Sequence, residues 1–137
     1  MNAEGKKILI IEDEEGLAVS LKTLIEGQGY NSIVASDAVQ GTKFARQETP
    51  NLIILDLGLP GGGGFAVLEN LNLADTTSAI PVLVLTANPQ KDAEIKACEM
   101  GVVDYFHKPF DSAELIKKIK EILGEDNNRT DNGLSGE

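Results

Sequence analysis

The stretch KILIIEDEE at residues 7–15 decides the fold, because an uninterrupted apolar run ends abruptly in four acidic residues. Four more short apolar runs follow, at residues 32–35, 52–55, 81–85 and 104–107. Apolar runs without alternation indicate strands that are covered on both faces, as in a parallel sheet. Between the runs, Leu and Ile recur at the three- and four-residue intervals of amphipathic helices. The pattern predicts five strands and five helices in strict alternation, and therefore a doubly wound α/β fold.

Composition and charge narrow the class of protein. The 137 residues correspond to one domain, and 42% hydrophobic and 25% charged residues are ordinary for a globular chain. A formal charge of −10 argues against direct nucleic-acid binding and against an anionic membrane surface, because both need clustered Lys and Arg. No apolar run is long enough to span a bilayer, and the N-terminus lacks a signal peptide, so a cytoplasmic protein is expected.

Cysteine usage and the C-terminal composition add two expectations. Cys98 is the only cysteine, which excludes an internal disulfide, and its helical spacing predicts a place in the core. Residues 125–137, EDNNRTDNGLSGE, hold four acids, one Arg and one apolar residue. We therefore expect one domain at residues 1–124, followed at 125–137 by a disordered acidic tail or the start of a linker.

Polar residues follow four of the five apolar runs, at the strand ends where ligands of doubly wound sheets bind. Acidic residues 12–15 follow the first run, Asp56 the third, Thr86 the fourth and Lys108 the fifth. Each has an ordinary alternative, as a helix-capping acid or hydroxyl, a turn residue or a solvated Lys. Together they indicate one site. Oxygen donors without His or Cys suit Mg²⁺ first, then Mn²⁺ or Ca²⁺, and predict phosphate chemistry on a metal.

The glycine-rich stretch LPGGGGF, residues 59–65, needs a separate interpretation. No Lys follows the glycines, so a nucleotide-binding P-loop is not expected. We predict a flexible turn into the third helix, loosened because glycine lacks a Cβ atom. Two further expectations concern residues near the last strand. The Lys108–Pro109 peptide can adopt the cis form, and His107 is expected to face a helix.

Five motifs make about residues 5–124 similar to a bacterial response-regulator receiver domain of the chemotaxis-regulator type. They are ILIIEDE, LIILDLGLPG, PVLVLTA, GVVDYFHKPF and a closing amphipathic helix. The resemblance implies a flavodoxin-like (βα)5 three-layer sandwich with strand order 2-1-3-4-5. It also implies a signalling domain rather than an enzyme, with self-catalysed phosphotransfer and autodephosphorylation as its only chemistry.

The resemblance assigns roles around a phosphoacceptor. Asp56 would accept a phosphoryl group from a sensor histidine kinase or a phosphotransfer protein. Asp13, Asp56 and the main-chain carbonyl of Gly58 would hold Mg²⁺, with Mn²⁺ as a substitute, and Glu12 would join them through water.

Other positions would respond to the phosphoryl group. Lys108 and the Thr86 hydroxyl would bind its oxygens, and Tyr105 would be the switch aromatic. The fourth helix, fifth strand and fifth helix would form the face that changes. Gly58 and Asn88 lie at positions that modulate hydrolysis of the aspartyl-phosphate.

Output and competing functions remain open at this point. The chain is either a stand-alone regulator with a downstream protein partner or a receiver from a longer regulator or hybrid kinase, with an effector beyond Glu137. An aspartyl-phosphate phosphatase of the same fold usually places a second Asp two residues after the nucleophile, where this chain has Gly58. A flavin-binding electron carrier would need a glycine- and hydroxyl-rich loop after the first strand, where this chain has EDEE.

Overall fold

Five strands form one sheet in the computed structural model, which describes residues 5–87 and 90–125. They are β1 (Lys7–Ile11), β2 (Asn31–Ala35), β3 (Leu52–Asp56), β4 (Val82–Thr86) and β5 (Asp104–His107). Their spatial order is β2-β1-β3-β4-β5, and each neighbouring pair is parallel. The α/β class, the parallel sheet and the predicted strand order are confirmed.

Five helices of nine residues or more connect the strands within the described ranges. They are α1 (Glu15–Glu26), α2 (Ala38–Glu48), α3 (Gly63–Asn72), α4 (Lys91–Glu99) and α5 (Ser112–Ile122). A 3₁₀ turn at Pro60–Gly62 and a single helical turn at Asp75–Ser78 were not expected from the sequence. The buried Thr77 hydroxyl holds the second turn by donating to the carbonyl oxygen of Leu71 at 2.7 Å. None of the described helices has the length and apolarity needed to cross a membrane.

The sheet separates two hydrophobic layers, because alternate residues of each strand point to opposite faces. One layer packs Leu9, Ile53 and Val84 against α2, α3 and α4. The other packs Ile10, Ile54 and Leu85 against α1 and α5. All five residues of β3 and all five of β4 are buried. The centre of the sheet, at β3 and β4, is therefore covered on both faces.

Two strands end one residue later than the apolar runs predicted. Asp56 is the last residue of β3 and Thr86 the last residue of β4, so both belong to the sheet. Pro81 lies outside β4; it has no N–H group for the ladder, although its carbonyl oxygen accepts the Ile53 N–H at 3.0 Å. Because strand backbone is fixed by its neighbours, Asp56 and Thr86 are held more firmly than loop residues would be.

The prediction that Cys98 lies in the core is wrong. Cys98 is exposed on α4, and Ile95, three residues earlier on the same side, is 49% exposed. The buried residue of this helix is Ala97. Ala97 therefore supplies the core contact of this helix, while Ile95 and Cys98 lie on its outer side.

The expected tail at residues 125–137 lies outside the described residues except for Glu125, which is anchored to the core. The buried Tyr30 hydroxyl donates to Glu125 Oε1 at 2.6 Å. The Glu125 N–H donates to the Lys120 carbonyl oxygen at 2.7 Å. Burial and the neighbouring carboxylate raise the pKa of Tyr30 above its ordinary value of 10.0. The end of α5 is thus tied to the start of β2.

We predict that Tyr30→Phe lowers the free energy of unfolding by roughly 1–3 kcal/mol, because it removes a hydrogen bond to a charged group. Tyr105→Phe is the matched control, since the buried Tyr105 hydroxyl has no hydrogen-bond partner in the described part of the chain. Urea titration of both variants measures the difference. A raised pKa in the folded state means that the Tyr30 contribution is complete below pH 10 and declines as the pH rises above it. Equal stability of the two variants at neutral pH would contradict the anchor.

Candidate functional site

Three carboxylates meet at the carboxyl edge of the sheet. Glu12 and Asp13 follow β1, and Asp56 ends the adjacent strand β3. The register pairs Ile11 with Leu55, so the next residues of the two strands are neighbours. One oxygen from each of the three acids lies within 4.8 Å of the others. Glu12 is 3% exposed and Asp56 6% exposed, whereas Asp13 faces solvent. The predicted acidic site is therefore present in the geometry.

Lys108 supplies positive charge to this cluster. Its Nζ atom lies 2.9 Å from Glu12 Oε1 and 3.4 Å from Asp56 Oδ2. The Lys108 N–H donates to the Thr86 carbonyl oxygen at 2.9 Å, which places the residue beside the end of β4. The Lys108–Pro109 peptide is cis, as expected. Three carboxylates and one ammonium group leave a formal charge of −2, which is the charge that one divalent cation offsets.

The main chain orients the carboxylates. The Gly58 N–H donates to Asp56 Oδ1 at 2.8 Å, and the Glu14 N–H donates to Glu12 Oε2 at 3.1 Å. Asp56 therefore has one oxygen held by the loop that follows β3 and the other directed towards Lys108. The direct pairing of Glu12 with Lys108 was not predicted from the sequence, where the family resemblance gave Glu12 a place at the metal through water.

The pKa values of Glu12 and Lys108 are shifted by burial and by the neighbouring charges. Burial raises the pKa of Glu12, and the nearby charge of Asp56 adds to the increase, although Lys108 and the Glu14 N–H oppose it. Burial lowers the pKa of Lys108, but the hydrogen bond to Glu12 and the charge of Asp56 outweigh burial, so the net pKa is raised. The lysine is therefore held protonated by the acids that it neutralises.

Thr86 and Tyr105 lie on the neighbouring strands β4 and β5. Thr86 is fully buried at the end of β4, next to the strand that ends in Asp56. Tyr105 lies on β5, packs against the core layer that contains Ala97, and has its hydroxyl group buried. Burial raises the pKa of Tyr105, with further contributions from Glu94 and Cys98. Asn88 falls outside the described residues.

His107 lies on β5, as expected, and its side chain is mostly exposed. Its Nε2 atom is 3.9 Å from Glu94 Oε1 on α4, so the residue faces a helix. The ring of Tyr105 meets the His107 ring edge to face, with 5.2 Å between centroids. Among the described residues, the acid that His107 meets is Glu94 and not one of the three carboxylates of the cluster.

The four glycines after Pro60 lead into the third helix, as predicted, but they differ from one another. Gly61 and Gly62 are exposed and have φ angles of 67° and 72°, values that favour glycine. Gly63 and Gly64 are buried and form the first turn of α3. This stretch is therefore a sharp turn followed by a tightly packed helix start.

Comparison with known families identifies the chain. The model of the response regulator receiver domain matches residues 8–120. The chain belongs to this family. Receiver domains are the signalling domains of two-component response regulators, so the phosphatase and flavin-carrier alternatives are not favoured.

The curated relatives of this receiver are longer proteins. It is 34% identical over 119 residues to the phosphate regulon transcriptional regulatory protein PhoB of Pseudomonas aeruginosa, covering 87% of this chain and 52% of the relative. It is 38% identical over 116 residues to the KDP operon transcriptional regulatory protein KdpE of Escherichia coli, covering 85% and 50%. The receiver thus spans about half the length of these relatives.

Solved receiver structures share the fold. A putative response regulator from Chloroflexus aurantiacus is 30% identical with a TM-score of 0.80, covering 88% of this chain and 98% of that one. The receiver domain of the sensor histidine kinase PA1611 from Pseudomonas aeruginosa is 25% identical with a TM-score of 0.80, covering 88% and 99%. That structure has a magnesium ion coordinated in its active-site cleft.

The donor set of this receiver fits the Mg²⁺ that its family binds at an acidic site. Mg²⁺ prefers carboxylate, carbonyl and water oxygens. Three carboxylate oxygens within 4.8 Å of one another supply donors of this kind, and Asp13 and Asp56 would hold the ion with Glu12 acting through water. The formal charge of −2 favours a divalent cation.

We predict that Mg²⁺ stabilises this receiver and that Asp13→Asn removes most of the effect. Ligand binding to the folded state contributes about 1.4 kcal/mol when Mg²⁺ is at ten times its dissociation constant. Thermal unfolding with Mg²⁺ and with a chelator measures this contribution. In chelator, Asp13→Asn should be more stable than the wild type, because one of three like charges is removed.

Glu15→Gln is the matched control, because Glu15 is an exposed acid in the first turn of α1 and lies outside the three-carboxylate cluster. It should respond to Mg²⁺ as the wild type does. A full Mg²⁺ response in Asp13→Asn would exclude Asp13 from the metal site.

Proposed function

We propose that this receiver accepts a phosphoryl group on Asp56. The observation that carries the proposal is the double contact of this carboxylate, whose Oδ1 accepts the Gly58 N–H at 2.8 Å while Oδ2 lies 3.4 Å from Lys108 Nζ. A nucleophile needs one fixed orientation and a cation beside it to balance the incoming charge. Asp56 has both, at the carboxyl end of a fully buried strand.

The reaction is a transfer from a phosphohistidine of a sensor histidine kinase or a phosphotransfer protein. An Asp56 oxygen attacks phosphorus and forms an acyl phosphate, while the phosphorus–nitrogen bond breaks and the leaving imidazole takes up a proton. Lys108 Nζ, already directed at Asp56 Oδ2, pairs with a phosphoryl oxygen after the transfer. The reaction needs no separate general base, because a carboxylate attacks without having to lose a proton.

Glu12, Asp13, Asp56 and the Gly58 carbonyl are the groups that would hold Mg²⁺. When bound, the ion neutralises charge on the transferring group and orients it. Glu12 also holds Lys108 at 2.9 Å, so it keeps the lysine within reach of Asp56.

The response begins at Thr86 and Lys108, which are linked through the main chain at the end of β4. The phosphoryl group adds a charge of about −1.5 to −2. The Thr86 hydroxyl binds one phosphoryl oxygen, Tyr105 changes its packing against α4, and the face made by α4, β5 and α5 is altered. Binding to the charged group thereby biases a surface that other proteins contact.

Gly58 sets the access of water to the phosphorylated site. A Cβ atom at this position would lie 3.2 Å from Asp56 Oδ1, so its absence leaves space beside the carboxylate. Asn88 is the second proposed rate-modulating residue. Gly58 also disfavours a phosphatase, because it has no carboxyl group to act as the general acid at this position.

For the output of the receiver, we propose only the kind of element that receives the signal. A downstream protein partner or an effector beyond Glu137 receives the signal, and the transcriptional regulators that the chain resembles favour the second. A cytoplasmic location, expected from the sequence, stays a prediction.

We predict that Asp56→Asn abolishes phosphorylation by a small phosphodonor such as acetyl phosphate with Mg²⁺. The amide is not a nucleophile, so the hydroxylamine-labile mass gain of one phosphoryl group should disappear. Intact-protein mass spectrometry measures the gain. Asp92→Asn, which changes an exposed acid in α4, is the matched control and should be labelled normally. Retention of labelling in Asp56→Asn would disprove the assignment.

We predict that Thr86→Ala separates phosphorylation from the response. The variant should still be labelled on Asp56, but the change in hydrogen exchange over residues 90–123 should be largely lost, because no hydroxyl binds the phosphoryl oxygen. Thr86→Ser keeps the hydroxyl and should retain the change. An exchange response in Thr86→Ala equal to that of the wild type would exclude Thr86 as the sensor.

A further inference from the structure

Gly64, in the first turn of α3, lies directly against the main chain that follows the phosphoacceptor. A Cβ atom on Gly64 would be 2.6 Å from Leu57 Cα, 2.9 Å from the Asp56 carbonyl oxygen and 2.9 Å from the Leu57 carbonyl oxygen. All three are backbone atoms, so no change of side-chain rotamer relieves the overlap. Any residue other than glycine at this position must displace either α3 or the connection after β3.

Gly41 in α2 offers an informative comparison. Its Cβ atom would lie 2.7 Å from Ile11 Cδ1 and 3.0 Å from Ile11 Cγ2. Ile11 precedes the acids that follow β1, so both glycines pack beside the acid-bearing strands. The obstacle at Gly41 is a side chain, whereas the obstacle at Gly64 is the backbone itself. Substitution of Gly41 therefore tests the effect of crowding a side chain, and substitution of Gly64 tests the effect of displacing the backbone of the site.

The other glycines of the same stretch do not share this contact. A Cβ atom on Gly61 or Gly62 would meet no atom within 4 Å. A Cβ atom on Gly63 would lie 3.2 Å from Ala38 Cβ and 3.3 Å from Leu59 Cβ, which is a tight contact with side chains. The close approach to the phosphoacceptor backbone belongs to Gly64.

The connection after β3 is the part that yields. Asp56 is paired with Leu85 in the sheet, which holds its backbone from the other side. The helix α3 is held by its buried residues Val67, Leu68 and Leu71. Displacement therefore falls on Leu57 and Gly58. The Gly58 N–H fixes Asp56 Oδ1, and its carbonyl is a proposed Mg²⁺ ligand.

We propose that Gly64 is a positioning residue, whose close backbone contact sets the place of the Asp56 carboxylate and the Gly58 main chain and so the affinity for Mg²⁺. The inference rests on the proposed function of this site. Gly64 touches neither the metal nor the phosphoryl group, and it acts through the backbone of residues 56–58.

The test compares Gly64→Ala with Gly41→Ala in the protein without phosphodonor. Mg²⁺ titration by calorimetry gives the affinity, and the NMR signal of the Gly58 amide reports its hydrogen bond to Asp56. Gly64→Ala should weaken Mg²⁺ binding by about tenfold or more, because substitution of residues that orient metal ligands has effects of this size. The variant should also shift the NMR signal of the Gly58 amide in the absence of metal. Gly41→Ala should bind Mg²⁺ within about twofold of the wild type, because its Cβ atom meets the Ile11 side chain and not the main chain of residues 56–58.

Gly64→Ser should match Gly64→Ala, because the overlap occurs at Cβ. Wild-type Mg²⁺ affinity and an unmoved Gly58 signal in folded Gly64→Ala would overturn the proposal, as would an equal loss in Gly41→Ala. Should Gly64→Ala not fold in buffer, both measurements are made in trimethylamine N-oxide, an osmolyte that favours the folded state, on the variant and on the wild type. The same two outcomes then support or overturn the proposal.

These measurements are independent of phosphorylation. If Asp56→Asn were still labelled, the proposed phosphoacceptor would fail, while the contrast between Gly64→Ala and Gly41→Ala would still decide the role of Gly64 in metal binding.

Discussion

The repulsion among carboxylates at one edge of the sheet is the constraint on which the site depends. Glu12 and Asp56 are almost completely buried, and burial raises the pKa of Glu12. The neighbouring charge of Asp56 raises the pKa of Glu12 further. Lys108 is the internal counter-charge, at 2.9 Å from one acid and 3.4 Å from the other. With one ammonium group against three carboxylates, the cluster keeps a formal charge of −2. A divalent cation would neutralise this charge.

The hydrophobic sheet imposes this arrangement. The strands β1 and β3 are neighbours in the sheet. Their register places the residues that follow Ile11 and Leu55 side by side. Both strands are buried on both faces, so neither can slide without moving its apolar side chains out of contact. The free energy that holds the acids together is therefore supplied by apolar packing below the site and not by the acids themselves.

The sequence predicts the parts of this structure that follow from periodicity. Five apolar runs give the five strands, and the residues after them give the acids, Thr86 and Lys108, because parallel strands all end at the same edge. The pairing of Glu12 with Lys108 could not be predicted, since it depends on the path of a long side chain between distant strands. Cys98 was misplaced because Ala97 makes the helix contact. The role of Gly64 was hidden, because a close backbone approach leaves no pattern in the neighbouring residues.

Burial is uneven across the sheet, and this bears on how a signal leaves the site. The strands β3 and β4 are buried throughout, whereas no residue of β5 is fully buried and Ala97 is the buried residue of α4. Local opening costs least where few apolar side chains are covered. Lys96 of α4 lies over the Phe65 ring of α3 at 4.4 Å, a contact that exposure keeps weak. Thr86 and Lys108 stand at the border between the firmly packed strands and this loosely packed edge. We therefore expect the phosphorylation proposed for Asp56 to displace α4 and β5, while the well-buried β1, β3 and α3 resist the change.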